Sequence, residues 1–132
     1  MDRASSKRLI YTVFLTKTLM LWRRFMTSEP YKRIDVNEAN EMIQRGDIQL
    51  VDVREQDEYD AGRIAGCDLI PVNDVLTRIE EIASDKDIVF YCAGGVRSAL
   101  ACEMAAAMGR TRLFNVEGGI VAWEDASLPL EK

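Results

Sequence analysis

Cys92-Ala93-Gly94-Gly95-Val96-Arg97 sets one thiol in a glycine-containing loop with a guanidinium at its far end. The loop parts a β-branched and aromatic run, Ile88-Val89-Phe90-Tyr91, from an alanine-rich run that begins Ser98-Ala99-Leu100-Ala101 and reads as a helix. At such a junction the first backbone N–H groups of the helix have no intrahelical acceptor and carry the positive end of its dipole. A thiolate or a bound anion is favoured there, so Cys92 reads as a nucleophile. The competing reading is a buried thiol that packs as a small hydrophobe. Because the chain has no histidine, neither a Cys–His pair nor an imidazole-bearing zinc site can be built. Activation has to come from main-chain dipoles and cations, with Arg97 and the loop amides as candidates; such neighbours lower a cysteine pKa from its ordinary value of about 8.5.

The elements that must position this loop alternate from Arg33 onward. Asp35 with Glu38 makes an acidic capping box for a helix that places Val36, Ala39 and Ile43 on one face and stops at Gly46. A second strand is expected over 48–53 with Asp52 near its carboxyl end, then one or two polar helical turns over 55–61 closed by Gly62. A brief strand over 68–70 precedes Pro71, and Val72, Val75, Leu76, Ile79 and Ile82 at three-and-four spacing predict an amphipathic helix. The central strand is read over 87–91, the following helix runs to about Met108, the last strand covers 112–115, and Gly118-Gly119 turns into a short helix near Trp123. Strands separated by helices imply an α/β fold: a central, mostly parallel sheet with helices on both faces. In such sheets ligands collect beyond the carboxyl ends of the strands, where Cys92 and Arg54 both emerge.

With 132 residues, 48% of them hydrophobic, the chain suits a single core. Three cysteines, Cys67, Cys92 and Cys102, without a CxxC pair indicate a reducing compartment, expected to be the cytoplasm, and exclude a four-cysteine zinc site. No metal or cofactor is expected. Residues 1–25 hold six of the 17 basic residues and one of the 22 acidic ones, a net of +5 that leaves −10 for residues 26–132. An acidic body argues against nucleic-acid binding. The apolar stretch 9–22 is interrupted by Thr12, Thr16, Lys17 and Thr18 and falls short of the roughly 18–20 apolar residues of a spanning helix. Three readings stand for residues 1–25: an interfacial anchor giving weak membrane association, a targeting leader, or a start-site artefact with the true start at Met26. Thr27-Ser28-Glu29-Pro30 reads as a linker, so residues 1–30 form an extension to a domain over 31–132.

Three segments together are similar to a known family. Val51-Asp52-Val53-Arg54-Glu55 with Glu58-Tyr59, Gly62-Arg63-Ile64-Ala65-Gly66-Cys67 and Ile70-Pro71 resembles the rhodanese signature around its second strand. The stretch from Tyr91 to Ser98 resembles the rhodanese active-site loop, and Val116-Glu117-Gly118-Gly119-Ile120 with Trp123 resembles the C-terminal motif. The resemblance covers roughly Arg33 to Pro129 and implies a single-domain rhodanese-like fold and a sulfurtransferase. By that analogy Cys92 takes a sulfane sulfur from thiosulfate or a persulfide and passes it to a thiol or cyanide. The partners implied are a small sulfur donor or a persulfidated protein, and a thiol acceptor.

The resemblance also assigns the other site residues. Ala93, Gly94, Gly95, Val96 and Arg97 would bind the substrate, with Gly94 and Gly95 allowing close backbone approach and positive φ. Arg97 either contacts the substrate or braces the loop by pairing with an acid. Asp52 and Arg54 are expected to fix loop geometry through a salt bridge, and Arg63, where the family pattern usually has histidine, steers an anion or pairs with a surface acid. Related phosphatases place five residues between nucleophile and arginine; the four here favour sulfur over phosphate. Many thiosulfate-using members carry cations where this chain has Ala93 and Gly94, which favours a persulfide donor over thiosulfate. Cys102 and Cys67 are read as packing residues, with a resolving role as the minor alternative. A non-catalytic rhodanese-like module that docks a partner or senses oxidants is the second functional reading.

Overall fold

The computed structural model describes residues 15–19 and 28–132. The extension read over 1–25 lies outside the described residues except for 15–19, a helical stretch whose side chains are exposed. Among the described residues no helix is long and apolar enough to cross a membrane.

The elements run β1 (Lys32–Ile34), α1 (Val36–Arg45), β2 (Ile48–Asp52), α2 (Gln56–Ala61), β3 (Asp68–Leu69), β4 (Asp87–Tyr91), α3 (Val96–Ala107), β5 (Leu113–Val116) and α4 (Gly119–Asp125). The five strands form one sheet in the order β1-β5-β4-β2-β3, and every pair is parallel, so the expected α/β architecture is present. Alternation along β4 sends Ile88 and Phe90 to one face and Val89 and Tyr91 to the other, each into its own apolar cluster. Ala101, Cys102 and Ala105 of α3 cover the first face. The second is covered by Val36, Ala39 and Met42 of α1 and by Ile120 and Trp123 of α4.

Local chemistry accounts for the ends of these elements. Asp35 accepts the Glu38 N–H at 2.8 Å and caps α1; Gly46 closes it with its N–H on the Met42 and Ile43 carbonyls. Met42 completes the buried face of α1, and Ile43 lies at its half-buried margin. In α2 the Glu55 N–H is taken by the Glu58 carboxylate at 2.9 Å, one arm of a reciprocal capping box.

One predicted element is different. Two 3₁₀ turns, Val72–Asp74 and Ile79–Glu81, stand where the spacing predicts an amphipathic α-helix. Asp74, Val75, Glu81 and Ile82 each donate three residues back, and Arg78 alone donates four back, to Asp74. Val72, Val75, Ile79 and Ile82 are buried nonetheless, with Leu76 left exposed. Steps of three, from 72 to 75 and from 79 to 82, suit the tighter winding as well as the α-helix. Arg110 also donates to the carbonyls of Ile79 and Ile82, from Nη2 and Nε at 2.9 Å each, so the Ile79 carbonyl is shared between that guanidinium and the Ile82 N–H. A distant side chain thus helps hold the second turn, which local periodicity does not reveal.

Candidate active site

Cys92 follows the last residue of β4, and Gly95 is the left-handed N-cap of α3. The turn between them folds the first amides of α3 back over the sulfur. Gly95 N–H donates to Cys92 Sγ at 3.1 Å and the Ser98 hydroxyl at 3.4 Å. Burial, at 1% exposure, pushes the thiol pKa up. The Ser98 hydroxyl and the amides of Ser98, Gly95 and Gly94 outweigh it, so the pKa lies below its ordinary value. Cys102 and Cys67 behave in the opposite way, burial raising both. Of the three free thiols, Cys92 alone has its pKa lowered.

The loop is held from behind by β5 and α4. Asn115 Nδ2 donates to Gly95 O at 3.1 Å. Ile120 and Val121 N–H donate to Cys92 O and Ala93 O at 2.9 and 3.2 Å, so the first turn of α4 binds the carbonyls while the first turn of α3 binds the sulfur. Gly95 has φ +104, and a side chain on it would meet Val116 O at 3.3 Å. Gly94 differs from the sequence expectation: its φ lies outside the left-handed range and nothing stands within 4 Å of a β-carbon there. Of the two glycines between Cys92 and Arg97, only Gly95 must be glycine, because there the chain turns left-handed to start α3.

Level with Tyr91 in the register, Asp52 ends β2 beside the loop. Arg54 meets both of its oxygens, with Nη2 at 2.7 Å from Oδ2 and Nε at 3.0 Å from Oδ1, in a fully buried pair. The Tyr91 hydroxyl donates to Asp52 Oδ2 at 2.8 Å and accepts the Ile64 N–H at 3.2 Å; Cys67 Sγ stands 3.4 Å from it. Arg54 also donates to Gly62 O at 2.7 Å and Glu58 O at 3.2 Å. The salt bridge expected of Asp52 and Arg54 is present and ties α2 to the sheet edge.

Arg97 is paired with an acid: its Nη1 and Nη2 donate to Glu58 Oε2 and Oε1 at 2.8 and 2.9 Å. The Glu58 contact chiefly raises the pKa of Arg97, with the Cys92 sulfur adding to it. Arg63 stacks its guanidinium 4.5 Å from the Tyr59 ring and reaches Glu131 at 3.7 Å, the surface-acid arrangement. Cys102 is fully buried under the sheet and Cys67 is half-buried against Tyr91.

Sequence reasoning gave no role to Ser98, Glu58, Asn115 or Tyr91. Ser98 had a findable signal, being the only hydroxyl in the first turn of the helix that follows the nucleophile. Glu58 and Asn115 come from another helix and another strand, and Tyr91 adjoins Cys92 but works through Asp52 of the neighbouring strand, so only the parallel register reveals these contacts.

The rhodanese-like domain description matches residues 35–126. A sulfurtransferase of Allochromatium vinosum is 38% identical over 84 residues, which cover 64% of this chain and 78% of that protein. The thiosulfate sulfurtransferase GlpE of Pseudoalteromonas translucida is 26% identical over 96 residues, covering 73% of this chain and 91% of that protein. The crystal structure of a rhodanese-related protein from Thermoplasma volcanium superposes with a TM-score of 0.70 at 32% identity, covering 76% of this chain and 98% of that one. With a depressed-pKa cysteine at the end of the central parallel strand and a domain match over most of its length, this chain belongs to the rhodanese-like domain family.

Proposed function

We propose that the chain is a rhodanese-type sulfurtransferase that carries sulfane sulfur as a persulfide on Cys92. The observation behind this is the pair of donors on one sulfur, the Gly95 amide and the Ser98 hydroxyl, in a cradle that lowers the pKa of that thiol alone among three. Cys92 thiolate attacks the outer sulfur of a donor R–S–SH. A Cys92 Sγ–S bond forms as the donor S–S bond breaks, and R–S⁻ leaves with the bonding pair. An acceptor thiolate then attacks the outer sulfur, and Cys92 departs as the thiolate with which the cycle began. With thiosulfate as donor the leaving group is sulfite, and with cyanide as acceptor the product is thiocyanate. Main-chain N–H groups of the loop stabilise the anionic sulfur without histidine or metal.

The donor is a persulfide, small or protein-borne, in preference to thiosulfate. Ala93 and Gly94 bring no positive charge to the loop, and a dianion gains little from a cradle of neutral amides compared with one that carries cations. Mass spectrometry after incubation with a sulfane donor tests the reading. Wild type should gain the mass of one sulfur atom on the peptide that holds Cys92, and Cys92→Ser should gain none. An unmodified Cys92 with thiosulfate and with persulfide donors alike would leave a binding module as the better description. Turnover with thiosulfate far above that with persulfides would refute the donor preference.

A further inference from the structure

We propose that Glu58 sets which donor charge the site accepts, by holding Arg97 in a two-point pair that an anionic donor must break. The inference rests on the sulfurtransferase reading of Cys92 and deepens it by naming a specificity-determining residue.

Arg97 is the one cation in the loop from Cys92 to Arg97. Two of its guanidinium nitrogens are committed to the two oxygens of Glu58, the fork geometry that gives such pairs their strength and direction. The carboxylate is fixed from its own side as well. Glu58 Oε2 accepts the Glu55 N–H at 2.9 Å, and the backbone of α2 is pinned by Arg54 on Glu58 O and Gly62 O. Glu58 is therefore not a loose surface acid that drifts away when another anion arrives. The hydrogen bond from Arg97 holds its carboxyl down to about 2, so it is ionised wherever Cys92 reacts.

The paired charges cancel, and Arg97, which also feels the Cys92 sulfur, offers a dianion no net attraction. Thiosulfate brings two negative charges to this neutral loop, whereas an alkyl persulfide can react through its uncharged R–S–SH form and asks nothing of Arg97. Removing the carboxylate would leave the guanidinium free to meet the dianion directly.

The test compares kcat/KM for thiosulfate and for hydroxyethyl persulfide in full-length wild type, Glu58→Gln, Arg97→Gln and the double variant, with persulfide on Cys92 followed by mass. Glu58→Gln should raise the thiosulfate-to-persulfide ratio about tenfold, the scale of one freed, partly screened charge contact. In the Arg97→Gln background the same change should leave the ratio where it was, because the effect acts through Arg97. Glu58→Asp, which retracts the carboxylate by one methylene, should give a smaller rise and serves if Glu58→Gln folds poorly. An unchanged ratio in both Glu58 variants overturns the proposal, as does a rise that persists without Arg97. If persulfide appears on wild-type Cys92 while the ratio fails to move, the specificity role alone is lost. If Cys92 is never charged, the sulfurtransferase reading falls and takes this proposal with it.

Discussion

Gly119 lies so close to the carbonyl of Cys92 that a β-carbon on it would stand 2.4 Å from that oxygen and 2.4 Å from the Ala93 oxygen. Both are backbone atoms of the reactive loop, held by the amides of Ile120 and Val121, so neither can step aside without moving Cys92. The φ of Gly119, +56, adds left-handed strain to the overlap. Gly119→Ala should lower stability by about 2–4 kcal/mol and slow alkylation of Cys92 in the fraction that remains folded. Gly94→Ala is the contrast: with open space around it, the change should stay within about 0.5 kcal/mol. Urea denaturation paired with iodoacetamide kinetics checks both, and equal effects at the two glycines would contradict the geometry.

Against its burial, the Cys92 thiolate is favoured by the Ser98 hydroxyl ahead of the backbone amides of the loop. A lowered thiol pKa means that reactivity is on a plateau at alkaline pH and falls as pH drops through the depressed value. Removing the hydroxyl moves that fall to higher pH. Ser98→Ala should therefore shift the pH profile of Cys92 alkylation in the alkaline direction. At neutral pH the rate should drop about fivefold, the equivalent of one hydrogen bond of about 1 kcal/mol. A profile that stays in place would assign the depression to the amides alone.

Much of this arrangement was legible in the residues. The strand that delivers Cys92 is legible over 87–91 because its residues are β-branched and aromatic and a glycine-containing loop follows them. The Asp52–Arg54 pair was readable because the two flank the end of one strand. What the sequence hid was whatever depends on a partner far along the chain. Arg110 reaches the carbonyls of Ile79 and Ile82 across the fold and helps hold the second 3₁₀ turn. Asn115 reaches Gly95, and Glu58 reaches Arg97, only through the order of strands in the sheet. Gly94 and Gly95 look alike in a sequence, and backbone direction alone tells the required one from the dispensable one.

The buried pair of Asp52 and Arg54 makes a prediction about stability. With both groups out of solvent and the Tyr91 hydroxyl on the same carboxylate, Asp52→Ala leaves a guanidinium buried beside no counter-charge. The expected cost is about 3–5 kcal/mol. Tyr91→Phe keeps the ion pair but strips the carboxylate of one donor and the Ile64 N–H of its acceptor, for about 1–3 kcal/mol. Urea midpoints at unchanged slope would report the two losses. A cost below that of Tyr91→Phe for Asp52→Ala would show that water reaches Arg54 and that the pair does not brace the loop.

Acid should weaken the Arg97–Glu58 contact in a defined window. Arg97, through its hydrogen bond, brings the Glu58 carboxyl from 4.5 down to about 2. A carboxyl depressed by folding stabilises fully above its unfolded value, and that contribution is lost as pH falls through the folded one. The loss therefore begins near 4.5 and is complete near 2. Because both side chains are about one-third exposed, at 34% and 32%, solvent screens the pair and its worth at neutral pH is about 0.5–1 kcal/mol. Glu58→Gln should be less stable than wild type by that amount at about pH 6, and the two should converge only as pH falls to about 2. A gap that stays constant across the range would mean that the carboxylate's charge does not hold Arg97. The loop cation would then be free for an anionic donor in the wild type, and the persulfide preference would have to come from Ala93 and Gly94 alone.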